Sequence, residues 1–522
     1  MIFRQFFAIL LLRKDMKVIK FLFNRAVIIS LLLLLQILLL CVFINVFNTY
    51  FGYIYILLGI ISGLLILYVL NRDQEPDIKM PWIFVIVAIA PLGGVIYLLF
   101  GNNKPSKRHK KLYYQIYSNS RKYNLANKEL EQKLKEQSPL ALSQSKYISK
   151  SSYLRPYQNT QTKYFENGEL FFDELLKQLK KAKKFIFMEY FIIEKGKMWN
   201  AILEILIQKA NSGLDVRVIY DDIGTIYKLP FNYDKKLRKH NISCIKFNKF
   251  SPIISSIHNN RDHRKITVID GEVAFTGGIN LADEYINEKV LYGHWKDSAI
   301  MLKGEAVKNF TLMFLQNYNA QTGITENYDK YISCSKKVKS DGFVQPFGDG
   351  PTPLYVDRVG ENVYMNIINQ AKEYVYITTP YLITDFNFLQ CLKIASKRGV
   401  DVRIITPHIP DKKIVFLQTQ SNYSKLIKAG VKIYEYEPGF IHSKNAVSDN
   451  TTALISTINL DYRSFVHHFE CGVWLYNTKS VFAIKEDFLK TLENCVEIDR
   501  SFKFGWFKKF VSDLISIFSP LM

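Results

Sequence analysis

At 522 residues the chain exceeds what one hydrophobic core holds, so two or three domains are expected. A hydrophobic content of 48% with 14% aromatic residues excludes a disordered protein. The net charge of +22 favours a polyanionic partner, nucleic acid or anionic lipid, without choosing between them.

Residues 1–25 form a basic segment, with Arg4, Arg13, Lys14, Lys17, Lys20 and Arg25 against Asp15 alone. No charged residue then occurs from Ala26 to Leu70. That length accommodates two spans of ~20 residues, over 27–47 and 51–70, joined at Asn48-Thr49-Tyr50. A third apolar stretch, 82–100, is interrupted by Pro91-Leu92-Gly93-Gly94. A second apolar stretch follows the first at once, with no small-x-small cleavage site between them, which argues against a signal peptide. Residues 26–100 therefore read as a transmembrane region of a multi-pass cell-membrane protein. Lys104, Lys107, Arg108, Lys110 and Lys111 follow it, so both flanks read as cytoplasmic. Three full spans would separate those flanks. The conflict disappears if the Pro-Gly-Gly segment dips in without crossing or lies in the interface. Six scattered cysteines, with no Cys-x-x-Cys, fit free thiols in a reducing compartment and a cytoplasmic catalytic part.

Residues 101–150 are rich in Lys, Gln, Ser and Asn and are expected to be a basic linker near the membrane surface, with helix-forming composition over 127–137. From 151 onward an alternation of strand and helix repeats itself. Ala182 to Ile192 resembles Ala371 to Ile383, each an apolar strand following a helix end. Gly213-Leu-Asp-Val-Arg-Val-Ile219 parallels Gly399-Val-Asp-Val-Arg-Ile-Ile405, a glycine stop before a buried strand. In each half the same motif follows these segments: His263-x-Lys265 with Asp270 and Asn280, then His442-x-Lys444 with Asp449 and Asn459. The shared order is that of an internal duplication. It predicts two α/β lobes, 151–335 and 336–500, each with a mainly parallel sheet. Residues 501–522 predict an amphipathic helix, with Trp506, Phe507, Phe510, Leu514 and Phe518 on one face. Core packing and an interfacial position on a membrane are the two readings of that face.

Two residues apart on a strand, His and Lys point the same way, so each pair can enter a common cleft. If a pseudo-twofold joins the lobes, the two histidines face each other across one phosphodiester. Breaking such an ester needs a nucleophile, cationic donors for the added negative charge and an acid for the leaving alkoxide. One His attacks and becomes a phosphohistidine; the other donates a proton, then takes one from the incoming hydroxyl. Lys265, Lys444, Asn280 and Asn459 would bind the phosphate. Asp270 and Asp449 complete the motif and are counted with the catalytic set, turn formation at a strand end being their other reading. A metal site is the competing chemistry, and the chain carries neither His-Glu-x-x-His nor a carboxylate cluster. No metal or other cofactor is expected.

The chain resembles the phospholipase D superfamily, and within it the bacterial phospholipase-D-type cardiolipin synthases. The resemblance rests on the paired motifs and on Gly293-His-Trp-Lys-Asp297, Thr379-Pro-Tyr-Leu-Ile-Thr-Asp385, Gly439-Phe-Ile-His-Ser-Lys444, Asn459-Leu-Asp-Tyr-Arg-Ser-Phe465 and Phe469-Glu470. In the membrane region it rests on Asn71-Arg72-Asp73, Pro81-Trp82 and Tyr97-Leu-Leu-Phe-Gly101, and at the end of the chain on Ser519-Pro-Leu-Met522. It implies two duplicated lobes with a shared active site behind an α-helical transmembrane region. It also implies metal-independent phosphatidyl transfer between two phosphatidylglycerol molecules, giving cardiolipin and glycerol. The superfamily pattern makes His263 the nucleophile and His442 the acid/base, with Glu470 and Asp297 as the acidic residues that orient the histidines. Ser456-Thr457 departs from the usual Gly-Ser or Gly-Thr, and a side chain there is expected to narrow the phosphate cradle. The partners implied are phosphatidylglycerol and anionic membrane lipids, not nucleic acid. A nuclease would also suit +22, but the basic runs adjoin the membrane segments, where anionic lipid explains them. A phospholipase D or a phosphatidyltransferase with another acceptor remains open, because acceptor choice lies in pocket walls.

Overall fold

The computed structural model describes residues 51–72, 74–90, 92–101, 107–249, 260–332, 338–352, 354–499 and 504–518, with isolated positions 34, 37, 38, 41 and 502. The expected basic segment 1–25 lies outside them, as does almost all of the expected span 27–47. The chain forms two compact units, residues 1–102 with 250–256, and residues 103–249 with 257–522.

In the first unit the helix Phe51–Asn71 is, among the described residues, the one that is long and apolar enough to cross a membrane. The expected third span is instead two shorter helices, Pro76–Ala88 and Leu92–Phe100. The physical reason is Pro91, which lacks the N–H that a continuous helix needs and disfavours helical backbone before it. Gly93 and Gly94 then allow close packing: a Cβ at Gly93 would lie 2.2 Å from the Val85 carbonyl, and one at Gly94 2.5 Å from Ser62 Oγ. Val69, Ile86 and Tyr97 form the small core of these helices.

The second unit holds two main sheets and two small two-stranded ones. The strands of the first half are β1 (Thr160–Phe165), β2 (Phe185–Tyr190), β3 (Asp215–Asp221), β4 (Ser243–Phe247), β5 (Lys265–Ile269), β6 (Val273–Gly277), β7 (His294–Lys296) and β8 (Ala299–Gly304). Those of the second half are β9 (Phe343–Asp349), β10 (Tyr374–Thr378), β11 (Leu382–Ile383), β12 (Asp401–Pro407), β13 (Lys432–Tyr436), β14 (Gly439–Ile441), β15 (Asn445–Ser448), β16 (Thr452–Ser456), β17 (Leu460–Asp461), β18 (Glu470–Tyr476) and β19 (Cys495–Ile498). The main sheets run β1-β8-β6-β5-β2-β3-β4 and β19-β13-β12-β10-β15-β16-β18-β9. The duplication is visible strand by strand: β2, β3, β5 and β6 match β10, β12, β15 and β16.

The sheets are not mainly parallel. Only β2-β3-β4 and β10-β12-β13 pair in parallel; every other pairing within the two sheets is antiparallel. The βαβ spacing accounts for the parallel part, where helices Lys197–Asn211 and Phe386–Lys397 end at Gly213 (φ +88°) and Gly399 (φ +93°). Short turns at Asp270-Gly271 and Asp449-Asn450, all at positive φ, then fold the motif strands back as hairpins, and a hairpin is antiparallel.

Nor is 101–150 a linker. Helices Lys107–Ser120, Lys128–Gln137 and Pro139–Ser152 bury Tyr113, Ile116, Leu130, Leu134, Ala141 and Ile148 in the second unit's cores. Their polar composition is that of amphipathic helices whose outer faces are solvated. The helix Val307–Thr322, buried on nearly all sides, lies in the core common to both halves, where Phe314 stacks on Phe187 at 4.6 Å. Burial of each such side chain contributes about 1.5–3 kcal/mol. The C-terminal helix Trp506–Ser516 attaches through its small side: Gln418 Nε2 donates to the buried Ser512 carbonyl at 2.7 Å, while Trp506, Phe507 and Phe510 stay exposed.

Candidate active site

Two short backbone contacts between the halves build the site. β7 of the first half pairs in parallel with β14 of the second, aligning Trp295 with Phe440 and Lys296 with Ile441. The His442 amide then donates to the Lys296 carbonyl at 2.7 Å. The mirror arrangement is a parallel bridge of Asp262 with Phe469, where the His263 amide donates to the Phe469 carbonyl at 2.9 Å. Each histidine is thus fastened to the other lobe, one residue before that lobe's acidic group.

The side chains repeat the exchange. His263 Nδ1 lies 2.9 and 3.1 Å from the Glu470 carboxylate oxygens, and His442 Nδ1 lies 2.6 Å from Asp297 Oδ2. A carboxylate at Nδ1 fixes that nitrogen as the donor and leaves Nε2 as the free base. The orienting residues expected from sequence therefore serve across the lobes: the first half's Asp297 holds the second half's histidine, and Glu470 does the reverse. Glu470 also accepts from the Thr457 hydroxyl and from Ser464 Oγ at 2.8 Å, and Asp297 accepts from the Ser298 amide at 2.7 Å.

Lys265 and Lys444 lie beside them, fully buried, each spending one donor on the carbonyl of its own motif histidine. Burial presses the lysines down, Lys265 to about 8 and Lys444 to about 7. Burial and then the lysine charges hold His442 down to about 4 and His263 well below its ordinary value. Both imidazoles are thus neutral near pH 7. Asn280 accepts from the Ile192 amide at 3.0 Å and donates to the Tyr285 hydroxyl at 2.7 Å, while the Asn459 side-chain oxygen is buried with no hydrogen-bond partner among the described residues. His263, His442, Asn280 and Asn459 line one pocket of about 680 Å³, whose walls include Phe191, Leu291, Tyr292 and Val415.

Asp270 and Asp449, expected in the catalytic set or as turn formers, stand apart from the histidines. The Asp270 carboxylate accepts the amides of Lys183, Lys184 and Phe185, and Asp449 accepts those of Lys372, Glu373 and Tyr374, at 2.7–3.0 Å. They tie each motif hairpin to the start of the neighbouring strand, and neither lines the pocket. Ser456 does not narrow the cradle either. It stands opposite Gly472 on β18, and its hydroxyl pairs with the Tyr364 hydroxyl at 3.2 Å and the Lys444 carbonyl at 3.3 Å, behind the site.

Sequence reasoning missed several contributors. Arg264, the middle residue of the first motif, points away from the pocket and pairs with Glu189 at 2.7 Å and Asp262 at 3.0 Å, a buried ion cluster under His263. Its counterpart is Ser443, so the repeat itself offered no signal. His468 lines the pocket with its ring centroid 5.2 Å from that of His263 and its Nδ1 3.6 Å from Glu470 Oε1. Its place between Arg463 and Glu470 was the available hint. His263, His468 and Glu470 cluster closely enough to hold a metal ion, but three side chains already donate to that carboxylate.

A family model described as "Cardiolipin synthase, PLD-like domain" matches residues 175–306 and 364–492, and one described as "Phospholipase_D-nuclease N-terminal" matches 60–102. A cardiolipin synthase of Alkalihalophilus pseudofirmus is 35% identical over 86% of this chain and 90% of its own. An uncharacterised protein of Streptococcus mutans serotype c is 43% identical over 84% of this chain and 94% of its own. The crystal structure of a phosphatidylserine synthase of Haemophilus influenzae Rd KW20 superposes with a TM-score of 0.54 at 15% identity, covering 73% of this chain and 98% of that one, a likeness of fold. With both lobes matched and relatives of this identity aligned nearly end to end, the chain belongs to the phospholipase-D-like cardiolipin synthase family.

Proposed function

We propose that this protein transfers a phosphatidyl group from one phosphatidylglycerol to a second, releasing glycerol and forming cardiolipin. The observation that carries this is the pair of carboxylate-oriented neutral histidines opening on one pocket, with two buried lysines beside them. With the phosphodiester bound, His442 takes up a proton from water at Nε2; His263 Nε2 then attacks phosphorus while the His442 imidazolium protonates the glycerol oxygen as the P–O bond breaks, leaving a phosphohistidine and a neutral His442. Lys265, Lys444, Asn280 and Asn459 hold the non-bridging oxygens as charge builds on them. The hydroxyl of the second phosphatidylglycerol then gives its proton to His442 and displaces His263. The negative phosphodiester offsets the lysine charges that depress His442, so the histidine gains basicity when substrate binds.

The protein's seat is the cell membrane, crossed more than once, with the catalytic unit on the cytoplasmic side. The helix Phe51–Asn71 and the basic residues that flank the apolar region support this. The exposed aromatic face of Trp506–Ser516, with Lys508 and Lys509 beside it, supports a helix lying in the interface with anionic lipid as its partner.

The test is turnover by the purified full chain in vesicles of phosphatidylglycerol with chelator present. Cardiolipin and glycerol are expected in equal amounts, with both lost in His263→Ala and in His442→Ala. No turnover in the folded wild type would refute the reading, and phosphatidic acid alone would make the protein a hydrolase.

A further inference from the structure

The transfer proposed above brings two anionic headgroups into one pocket, and the inference here rests on that reading. The donor phosphodiester sits between the histidines and uses Lys265 and Lys444. The acceptor lipid carries a phosphodiester of its own, which needs a separate cation if it is to be withdrawn from water.

The pocket walls offer Lys228, Arg261, Lys412 and Arg463. Arg261 is committed, its guanidinium gripping Asp221 at 2.8–3.0 Å. Lys228 pairs with Glu194 and, at 3.5 Å, with Glu284. Lys412 is an exposed rim residue 3.8 Å from Asp411 and stands over the Tyr381 ring. Arg463 differs from all three. Its guanidinium makes no hydrogen bond or ion pair with any described residue, although it is half-buried and faces the pocket. Its backbone is nonetheless held in place. The next residue, Ser464, donates to Glu470, and the Arg463 carbonyl accepts from the His468 amide at 3.1 Å, so the turn is fastened to the carboxylate that orients His263. Asp461, also in the pocket wall, receives the Ser464 amide at 2.8 Å and offers a carboxylate to a lipid hydroxyl.

We propose that Arg463 binds the phosphodiester of the acceptor lipid, apart from the donor phosphate at Lys265 and Lys444. A planar guanidinium with no hydrogen-bonded or ion-paired partner among the described residues, and only the longer-range attraction of Asp461, matches two phosphate oxygens at once. The site then favours an anionic lipid alcohol over water or a neutral alcohol, which is what separates transfer from hydrolysis at a common phosphohistidine.

The experiment uses the full chain in phosphatidylglycerol vesicles with ethanol added as a neutral acceptor, and reads the ratio of cardiolipin to phosphatidylethanol. Arg463→Gln is expected to lower that ratio at least tenfold, with Arg463→Lys in between. A ratio within twofold of wild type in both variants overturns the proposal. If Arg463→Gln forms neither product, Arg463→Lys decides by the same ratio. A wild type that forms neither product refutes the transfer reading instead, so the two failures are distinct.

Discussion

The two half-sites perform matching tasks with different parts. In the first lobe the orienting acid is the short Asp297, lying against Gly278, where a Cβ would come within 2.1 Å of the carboxylate. In the second lobe the acid is the longer Glu470, and the position equivalent to Gly278 is Thr457, whose hydroxyl donates to it. A short acid with no side chain behind it and a long acid braced by a hydroxyl both deliver an oxygen to the opposite histidine. The same exchange occurs one residue earlier: Gly277 faces Ala299, whereas Ser456 faces Gly472. Space is conserved across each strand pair rather than at each position, because close packing constrains the summed volume of neighbours. The repeat is therefore symmetric in what it places at the pocket and asymmetric in what supports it.

Breaking the carboxylates tests this most strongly. Glu470→Gln and Asp297→Asn are each expected to lower kcat on the order of 10³-fold, since an amide can present the wrong group to Nδ1. Glu470→Gln should also lower the melting temperature more than Asp297→Asn, because Thr457, Ser464 and His263 all donate to Glu470. Initial rates and thermal unfolding measure the two effects, and equal losses of stability would contradict the asymmetric support.

The next effect is smaller and concerns the bracing itself. Gly278→Ala displaces Asp297 and is expected to cost about 10–100-fold in rate, as misplacement of a catalytic group does. Thr457→Val keeps the volume and removes one donor, costing about 1–3 kcal/mol of stability with a rate loss of about tenfold or less. Exchanging the order of these two rate losses would place the critical brace in the second lobe.

The smallest effect is a pH limb. Lys444 lies near 7 and Lys265 near 8, and in the proposed transfer both bind phosphate only when charged. Charge is lost as pH rises through those values, so kcat/KM should decline on the alkaline side from about pH 7. Lys444→Arg, charged at all working pH values, should move that limb upward even if it lowers the maximum. A pH–rate profile in which the limb stays in place would remove Lys444 as its origin.

Much of the site was legible because its signals are local. The doubled His-x-Lys stands in the sequence itself, although His263 lies just before β5 and His442 just after β14, so the cross-lobe contacts rather than strand alternation hold the histidines. The apolar helix Phe51–Asn71 and the two-lobed α/β order are likewise properties of contiguous residues, which composition and period report. Tertiary structure decided everything that depends on pairing between distant segments. Asp270 and Asp449 share the motif but turn to amides 85–87 and 75–77 residues earlier, which no spacing announces. The segment 107–152 becomes part of the core only because the sheets offer it apolar faces. The antiparallel majority follows from how hairpins add to a parallel centre. The assignment of Glu470 to His263 and of Asp297 to His442 exists only where the lobes meet, since each carboxylate is carried by one lobe and used by the other.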